Sequence, residues 1–312
     1  MAYARKSRKP RRGYRKSGPK RRSGLRSRYT GKMRRSTRAR PMSKKSILNT
    51  TSRKKRDTML TVTNTAPGSG GPLPSLTSPV LVVSAEFGHV SCWNATARDL
   101  SLSSGPIGSV AQEAVRTSST CYMRGLSENI RLGTSTDCAW FWRRICFTLR
   151  GSAFRTTANG DSPVTPYATF SENSNGIGRL WLNQNINTMG NTIAVQQGVL
   201  FRGAANVDWR DLITAPVDNT RVDLKYDKTR TIRSGNSRGV VREYKMWHPM
   251  NKNLVYADDE AGDVMIPNNF SVEDKRGMGD YYIVDIIIPA NGGVRADTLT
   301  IDSTSTLYWH ER

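Results

Sequence analysis

The first 56 residues of this 312-residue chain contain no Asp or Glu; the first acid is Asp57. The same stretch carries 24 Lys and Arg, which leaves 24 bases against 25 acids in the rest. The formal charge of +23 therefore belongs to one end of an otherwise neutral protein. Other absences narrow the class. The four cysteines (Cys92, Cys121, Cys138, Cys146) show no CxxC spacing, and no Cys/His set has zinc-finger spacing. Neither a disulfide framework nor a zinc site is expected, and the cysteines read as free thiols in a reducing compartment. No apolar run approaches the ~18 residues of a membrane span, and the N-terminus lacks the apolar core of a secretory signal. It shares the Arg- and Ser-rich character of a transit peptide, but its bases are too dense and its apolar residues form no helical face. HExxH, GxSxG and GxxxxGK[ST] are missing, and His89, His248 and His310 are widely separated. No enzymatic chemistry is indicated and no cofactor is expected.

What is present divides in two. Residues 1–56 are poor in apolar side chains, repel themselves, and are broken by Pro10, Gly13, Gly18, Pro19, Gly24, Gly31 and Pro41. Such a segment cannot bury enough surface to fold alone and is expected to be a disordered arm. Its bases are clustered: Arg5, Lys6, Arg8, Lys9, Arg11 and Arg12, then Arg15 and Lys16, then Lys20, Arg21 and Arg22, then Arg34 and Arg35. Each can pair a phosphate and release condensed counterions, which gives strong, salt-dependent, sequence-blind binding to nucleic acid. Arg outnumbers Lys, which suits bidentate phosphate contacts, and Tyr3, Tyr14 and Tyr29 are spaced to stack on unpaired bases. Lys44 and Lys45, followed after a short spacer by Arg53, Lys54, Lys55 and Arg56, form an approximately bipartite nuclear-import candidate.

From residue 57 to 312 the signals are those of strands. TMLTVTN (58–64), VLVVSAEF (80–87), AWFWRRICFTLRG (139–151), GRLWLN (178–183), IAVQQGVLF (193–201), TRVDLKYD (220–227), GVVREYKMW (239–247), DYYIVDIIIP (280–289), DTLTID (297–302) and STLYWHER (305–312) alternate or are continuously apolar. Between them, 66–79, 151–176 and 248–279 read as long loops, and 108–116 and 207–213 as short helices. The expected fold is an all-β sandwich of the jelly-roll type with long loops.

In 139–151, Phe141, Ile145, Phe147 and Leu149 fall on one face, and Trp140, Trp142 and Arg144 on the other. A strand buries only one face against its own sheet partner, so Trp140 and Trp142, with Trp309 near the C-terminus, are expected to contact the second sheet, a long loop or another subunit. Arg143 and Arg144 would either reach nucleic acid or pair structurally. Asp285, inside an apolar run, requires a charged or hydroxyl partner. Asp258, Asp259, Glu260 and Asp263 form an acidic loop with weak potential for a hard cation, although EF-hand spacing is missing.

RPMSKKSILNTTSRKKRDTML (40–60), at the arm–body junction, and WFWRRICFTLRG (140–151) carry more than composition. With the arm, YYIVDIIIP and STLYWHER, they resemble the capsid proteins of genomoviruses, the gemycircularvirus group. These are relatives of the geminiviruses with small circular single-stranded DNA genomes. The likeness runs the length of the chain. It implies a jelly roll, a small icosahedral shell, arms on encapsidated single-stranded DNA, and assembly in the host nucleus with a nuclear-import receptor as partner. It implies no catalytic residue. The Cys-rich element associated with plant geminivirus coat proteins is not evident, so nothing of their twinned particles or vector binding is carried over. The competing readings are a cellular nucleic-acid-binding protein with a basic tail and, third, an enzyme with a targeting tail.

Overall fold

The computed structural model describes residues 42–312 except 78, 103 and 104. Two short helices are set among fourteen strands: α1 (Lys44–Thr51), β1 (Arg53–Thr65), β2 (Pro72–Thr77), β3 (Leu81–Ser84), β4 (His89–Asn94), β5 (Thr120–Thr134), β6 (Trp140–Leu149), β7 (Ser171–Asn173), β8 (Gly176–Trp181), α2 (Gly190–Leu200), β9 (Asp223–Ile232), β10 (Val241–Val255), β11 (Asp259–Ala261), β12 (Val264–Ile266), β13 (Asp280–Pro289) and β14 (Thr298–Glu311). No helix is long and apolar enough to cross a membrane, among the described residues.

Eight of these strands pair from the outside inward, all antiparallel. β1 pairs with β14, β4 with β13, β5 with β10, and β6 with β9. The chain is thus one long hairpin of nested pairs. Rolling that hairpin over brings β14 beside β5 and β13 beside β6. Two sheets result, β10-β5-β14-β1 and β4-β13-β6-β9. Beyond β1 the larger sheet continues through β8 (parallel) and β7, with β2 on β1 and β3 on β14. This nesting is the jelly-roll arrangement of an all-β sandwich.

The sheets pack face to face through two apolar clusters. One gathers Met59, Leu126, Leu180, Leu307 and Trp309 of the larger sheet with Trp93, Cys146, Tyr281 and Ile283 of the smaller. The other sets Leu81, Val83, Ile130, Leu132, Leu299 and Ile301 against Trp140, Trp142, Ile232 and Ile287. A third cluster covers the far face of the smaller sheet, where Ile145, Phe147, Tyr282 and Ile286 meet Phe154, Leu200, Phe201 and Trp209 from α2 and the loops around it. The smaller sheet is therefore buried on both faces.

Several expectations change. Residues 193–201 are helical, although their β-branched side chains suggested a strand. The Asp161 carboxylate accepts the Asn191 and Thr192 N–H groups at the start of α2, and Thr192, Gln196 and Leu200 form its buried face. Residues 108–116 and 207–213 are turns, not helices. β5, the second-longest span of unbroken pairing, was hidden by a bulge. Cys121 and Met123 point inward, then Gly125 inserts, and the inward set becomes Leu126, Glu128, Ile130 and Leu132. One extra residue switches the parity and erases the period of two. Residues 248–279 are not one loop: β10 runs on to Val255 and β11–β12 form a hairpin. The folded body begins at α1, before Asp57, and residues 53–56 are strand.

Ile283 is completely buried between the sheets. Ile283→Ala should cost about 2–5 kcal/mol, visible as a lowered denaturant midpoint with unchanged slope. Val207→Ala, at a site 82% exposed, should stay within about 0.5 kcal/mol of the parent.

Candidate functional site

The clusters from Arg5 to Arg35, the sequence candidates for phosphate binding, lie outside the described residues. The junction does not. Lys44 is exposed on α1, and β1 follows in register with the C-terminal strand, Arg53 opposite Glu311 and Arg56 opposite Tyr308. Lys55 is buried. Its Nζ donates to the Val115 carbonyl at 2.6 Å and to Thr117 Oγ1 at 3.1 Å, and lies 3.3 Å from the Glu311 carboxylate. Burial pushes the Glu311 carboxyl up, but hydrogen bonds from Thr117 and Trp309, with Lys55, hold it below its ordinary value. The 53–56 half of the import candidate is therefore a strand with one lysine locked inside it, not a flexible address. The sequence could not show this, because a run of four bases looks the same whether it is paired or loose.

Arg143 and Arg144 are both structural. Arg143 forks onto Asp227 at 2.9 and 2.6 Å and donates to the Leu212 and Ala215 carbonyls. Arg144 enters a fully buried cluster with Asp285, Arg179 and Glu128. It meets Asp285 at 2.7 and 3.0 Å and also pairs with Glu128. Arg179 completes the ring, 2.7 Å from Asp285 and 3.1 Å from Glu128. Trp142 Nε1 donates to Asp285 at 2.8 Å, Ser305 Oγ donates to Glu128 at 3.1 Å, and His248 Nε2 lies 3.4 Å from Glu128. Two cations and two anions balance. Burial alone would push both carboxyls up, but Arg144 and then Arg179 hold them well below the carboxylate range. The partner required for Asp285 is thus present twice over.

The tryptophans proposed for interfaces are core residues. Trp140 and Trp142 are fully buried and Trp309 nearly so. The expected contact of the Trp140/Trp142 face with the second sheet is met within one chain, where Trp142 packs edge-on against Tyr244 at 5.4 Å. None of the three is available to another subunit. The acidic loop likewise disperses. Asp258 is taken by Arg116 at 2.5 and 2.8 Å and by the Asn268 N–H, while Asp259, Glu260 and Asp263 are exposed on the β11–β12 hairpin. Among the described residues no three metal-ligating side chains converge. The four cysteines are free thiols, and burial pushes those of Cys92, Cys121 and Cys146 far up.

Sequence reasoning missed the outer face of the larger sheet. Residues directly opposite one another across paired strands share a face, so the registers assign Lys54, Arg56, Thr58 and Leu60 of β1, Asp302, Thr304, Thr306, Tyr308 and His310 of β14, and Tyr122, Ser127, Asn129 and Arg131 of β5 to one side. Glu243, Lys245 and Trp247 of β10 join them. Trp247 is half exposed and its ring lies 5.9 Å from that of Tyr308; Tyr122 and His310 are 6.0 Å apart. Gly125, at φ +152, makes this possible, since a Cβ there would sit 2.7 Å from the Trp247 ring. Part burial, then Lys54 and Arg124, hold the His310 imidazole below its ordinary value.

No family model matches the chain, and no curated protein matches it. Among solved structures, one described as "KBV activated particle at acidic pH" aligns over 83% of this chain and 69% of its own, at 11% identity and a TM-score of 0.20. A score that low does not establish a shared fold.

Asp285→Asn would leave two buried guanidiniums with one full anion and should destabilise the fold by about 3–5 kcal/mol. The depressed Glu128 and Asp285 carboxyls contribute stability that is complete above the unfolded carboxyl pKa of about 4 and is lost as pH falls toward their folded values. Thermal scans of the parent should show a fall in stability below about pH 4, and the fall should be shallower in Asp285→Asn.

Proposed function

We propose that this chain is a viral coat protein whose jelly-roll body tiles against its own copies while its N-terminal arm holds a single-stranded nucleic acid. One observation carries the reading: a charge-balanced sandwich of nested strand pairs is attached to an acid-free polycation. A fold alone does not define a function, and a basic tail alone is common. Together they divide the labour as a packaging shell requires, with sequence-blind phosphate binding on one side and repeated identical contacts on the other. No cofactor or catalytic group enters this scheme.

Residues 1–41 hold 18 of the bases. Sixty such arms would bring on the order of 1,000 positive charges, the scale needed to offset much of a genome of on the order of 2,000 nucleotides. The likeness of 40–60, 140–151 and the C-terminal strand to genomovirus capsid proteins supports circular single-stranded DNA as the cargo, a sixty-copy shell, and the host nucleus as the place of assembly. Since 53–56 are strand, a nuclear-import receptor would read the clusters upstream, up to Lys44 and Lys45. The rival reading, a cellular nucleic-acid-binding protein with a basic tail, requires a monomer that recognises a defined folded RNA or a duplex.

Light scattering on the purified protein should find uniform particles on the order of 20 nm, as expected for a small shell; a persistent monomer under all salt and pH conditions would support the rival. Deleting residues 2–40 should leave the body folded and remove most of the nuclease-protected nucleic acid. Unchanged content would refute the role given to the arm. Sequencing the protected nucleic acid decides between a circular single-stranded DNA and any other cargo.

A further inference from the structure

We propose that the outer face of the larger sheet is a second nucleic-acid site, a stacking platform for unpaired bases that is distinct from the arm. The inference rests on the packaging role proposed above and adds where, on the folded body, the bases go.

The face has no covering layer among the described residues. The smaller sheet is covered by α2 and its loops, and the inner faces cover each other. Across β1, β14, β5 and β10 the outward positions are instead filled by Thr58, Thr304, Thr306, Ser127 and Asn129, small polar residues that leave the sheet low and open. Two ring pairs rise from it: Trp247 with Tyr308, and Tyr122 with His310. Tyr308 and His310 are two residues apart on β14, so the pairs are spaced by about 7 Å, roughly two steps of a stacked strand. Of the chain's seven tryptophans, the other six are buried; Trp247 is 50% exposed. Its ring is laid along the sheet by the glycine beneath it, the geometry in which a base can add to its open side.

Charge favours an anion here. The outward bases are Lys54, Arg56, Arg124, Arg131 and Lys245, against Glu243 and Asp302. Asp302 is engaged by Arg131 at 3.1 Å. Lys54 and Arg124 both sit close enough to His310 to depress its protonation, so two cations flank a neutral ring, as a strand with phosphates outside and bases inward would need. A contact with a second copy fits less well, because the centre of such an interface is apolar and depleted of charge. This face offers Leu60 and Trp247 amid threonines and bases. The location also suits the arm. α1 precedes β1 at this edge, where Ser52 Oγ lies 3.4 Å from His310 Nδ1, so the basic segment joins the body beside the platform. Aromatic rings on an open sheet, ringed by bases, form a surface that binds single strands with little sequence preference and discriminates against duplexes, whose bases are already stacked.

The test uses the full-length protein and oligo(dT). At salt high enough to screen the arm, titration with oligo(dT) should quench the solvent-accessible tryptophan fluorescence, and duplex DNA should not. Trp247→Ala with Tyr308→Ala should weaken oligo(dT) binding under those conditions at least about tenfold, since each stacked base is worth on the order of tenfold or more. Trp247→Phe should recover most of the loss. Lys54→Ala with Arg124→Ala, which leaves the rings in place, should lower the salt slope by roughly two. Ultraviolet crosslinking mapped by mass spectrometry separates the two sites. Crosslinks in 241–252 and 303–312 together with 1–41 support both. Crosslinks confined to 1–41 sink the platform and leave the arm standing, and crosslinks confined to the sheet do the reverse. If Trp247 is shielded when empty shells form and does not respond to oligo(dT), the face is a contact between copies and the proposal is wrong.

Discussion

Everything in this fold is keyed to the ring of two arginines and two carboxylates between the sheets. Glu128 and Arg179 come from the larger sheet, Arg144 and Asp285 from the smaller, so the cluster fixes how the layers face each other. It also fixes register. Arg144 and Asp285 are direct partners in the β13–β6 ladder, and a one-residue slip would turn a guanidinium toward the apolar cluster under α2. Isolated buried charges are too costly for that arrangement to compete. The ring is thus a condition on pairing, imposed where Trp93, Trp142 and Trp181 exclude water.

The same physics explains what could be read from the residues. Strands with strict alternation or unbroken apolar runs, such as 139–151 and 280–289, were legible, because burial of one or both faces writes directly into spacing. The jelly-roll class followed from their number and the lack of long helical patterns. β5 was illegible because Gly125 shifts its parity, and α2 because its stability comes from Asp161, thirty residues upstream, rather than from its own propensities. Tertiary contacts overrode local signals in both cases.

The candidate sites divide along a similar line. Charge segregation is a property of composition, so the polycation was visible at once. Whether a given base is loose or committed depends on its partner, and Lys55, Arg143 and Arg144 each found a carboxylate that sequence alone could not assign. The tryptophans failed as interface markers for the related reason that a large jelly roll needs large residues to fill the space between its layers. Trp247, which carries the platform proposed here, was not singled out, since its meaning comes from three strands placed beside it.

The nested pairing has a kinetic consequence. β14 lies in the middle of its sheet, between β1 and β5, so the first strand to leave the ribosome waits for the last before it can pair on that side. Nearly all contacts that close the body span great distances along the chain, which makes folding slow and indivisible. While it waits, the body exposes unpaired strand edges that invite aggregation. The polycation, made first and needing no structure, is free throughout that interval to keep nascent chains apart by mutual repulsion.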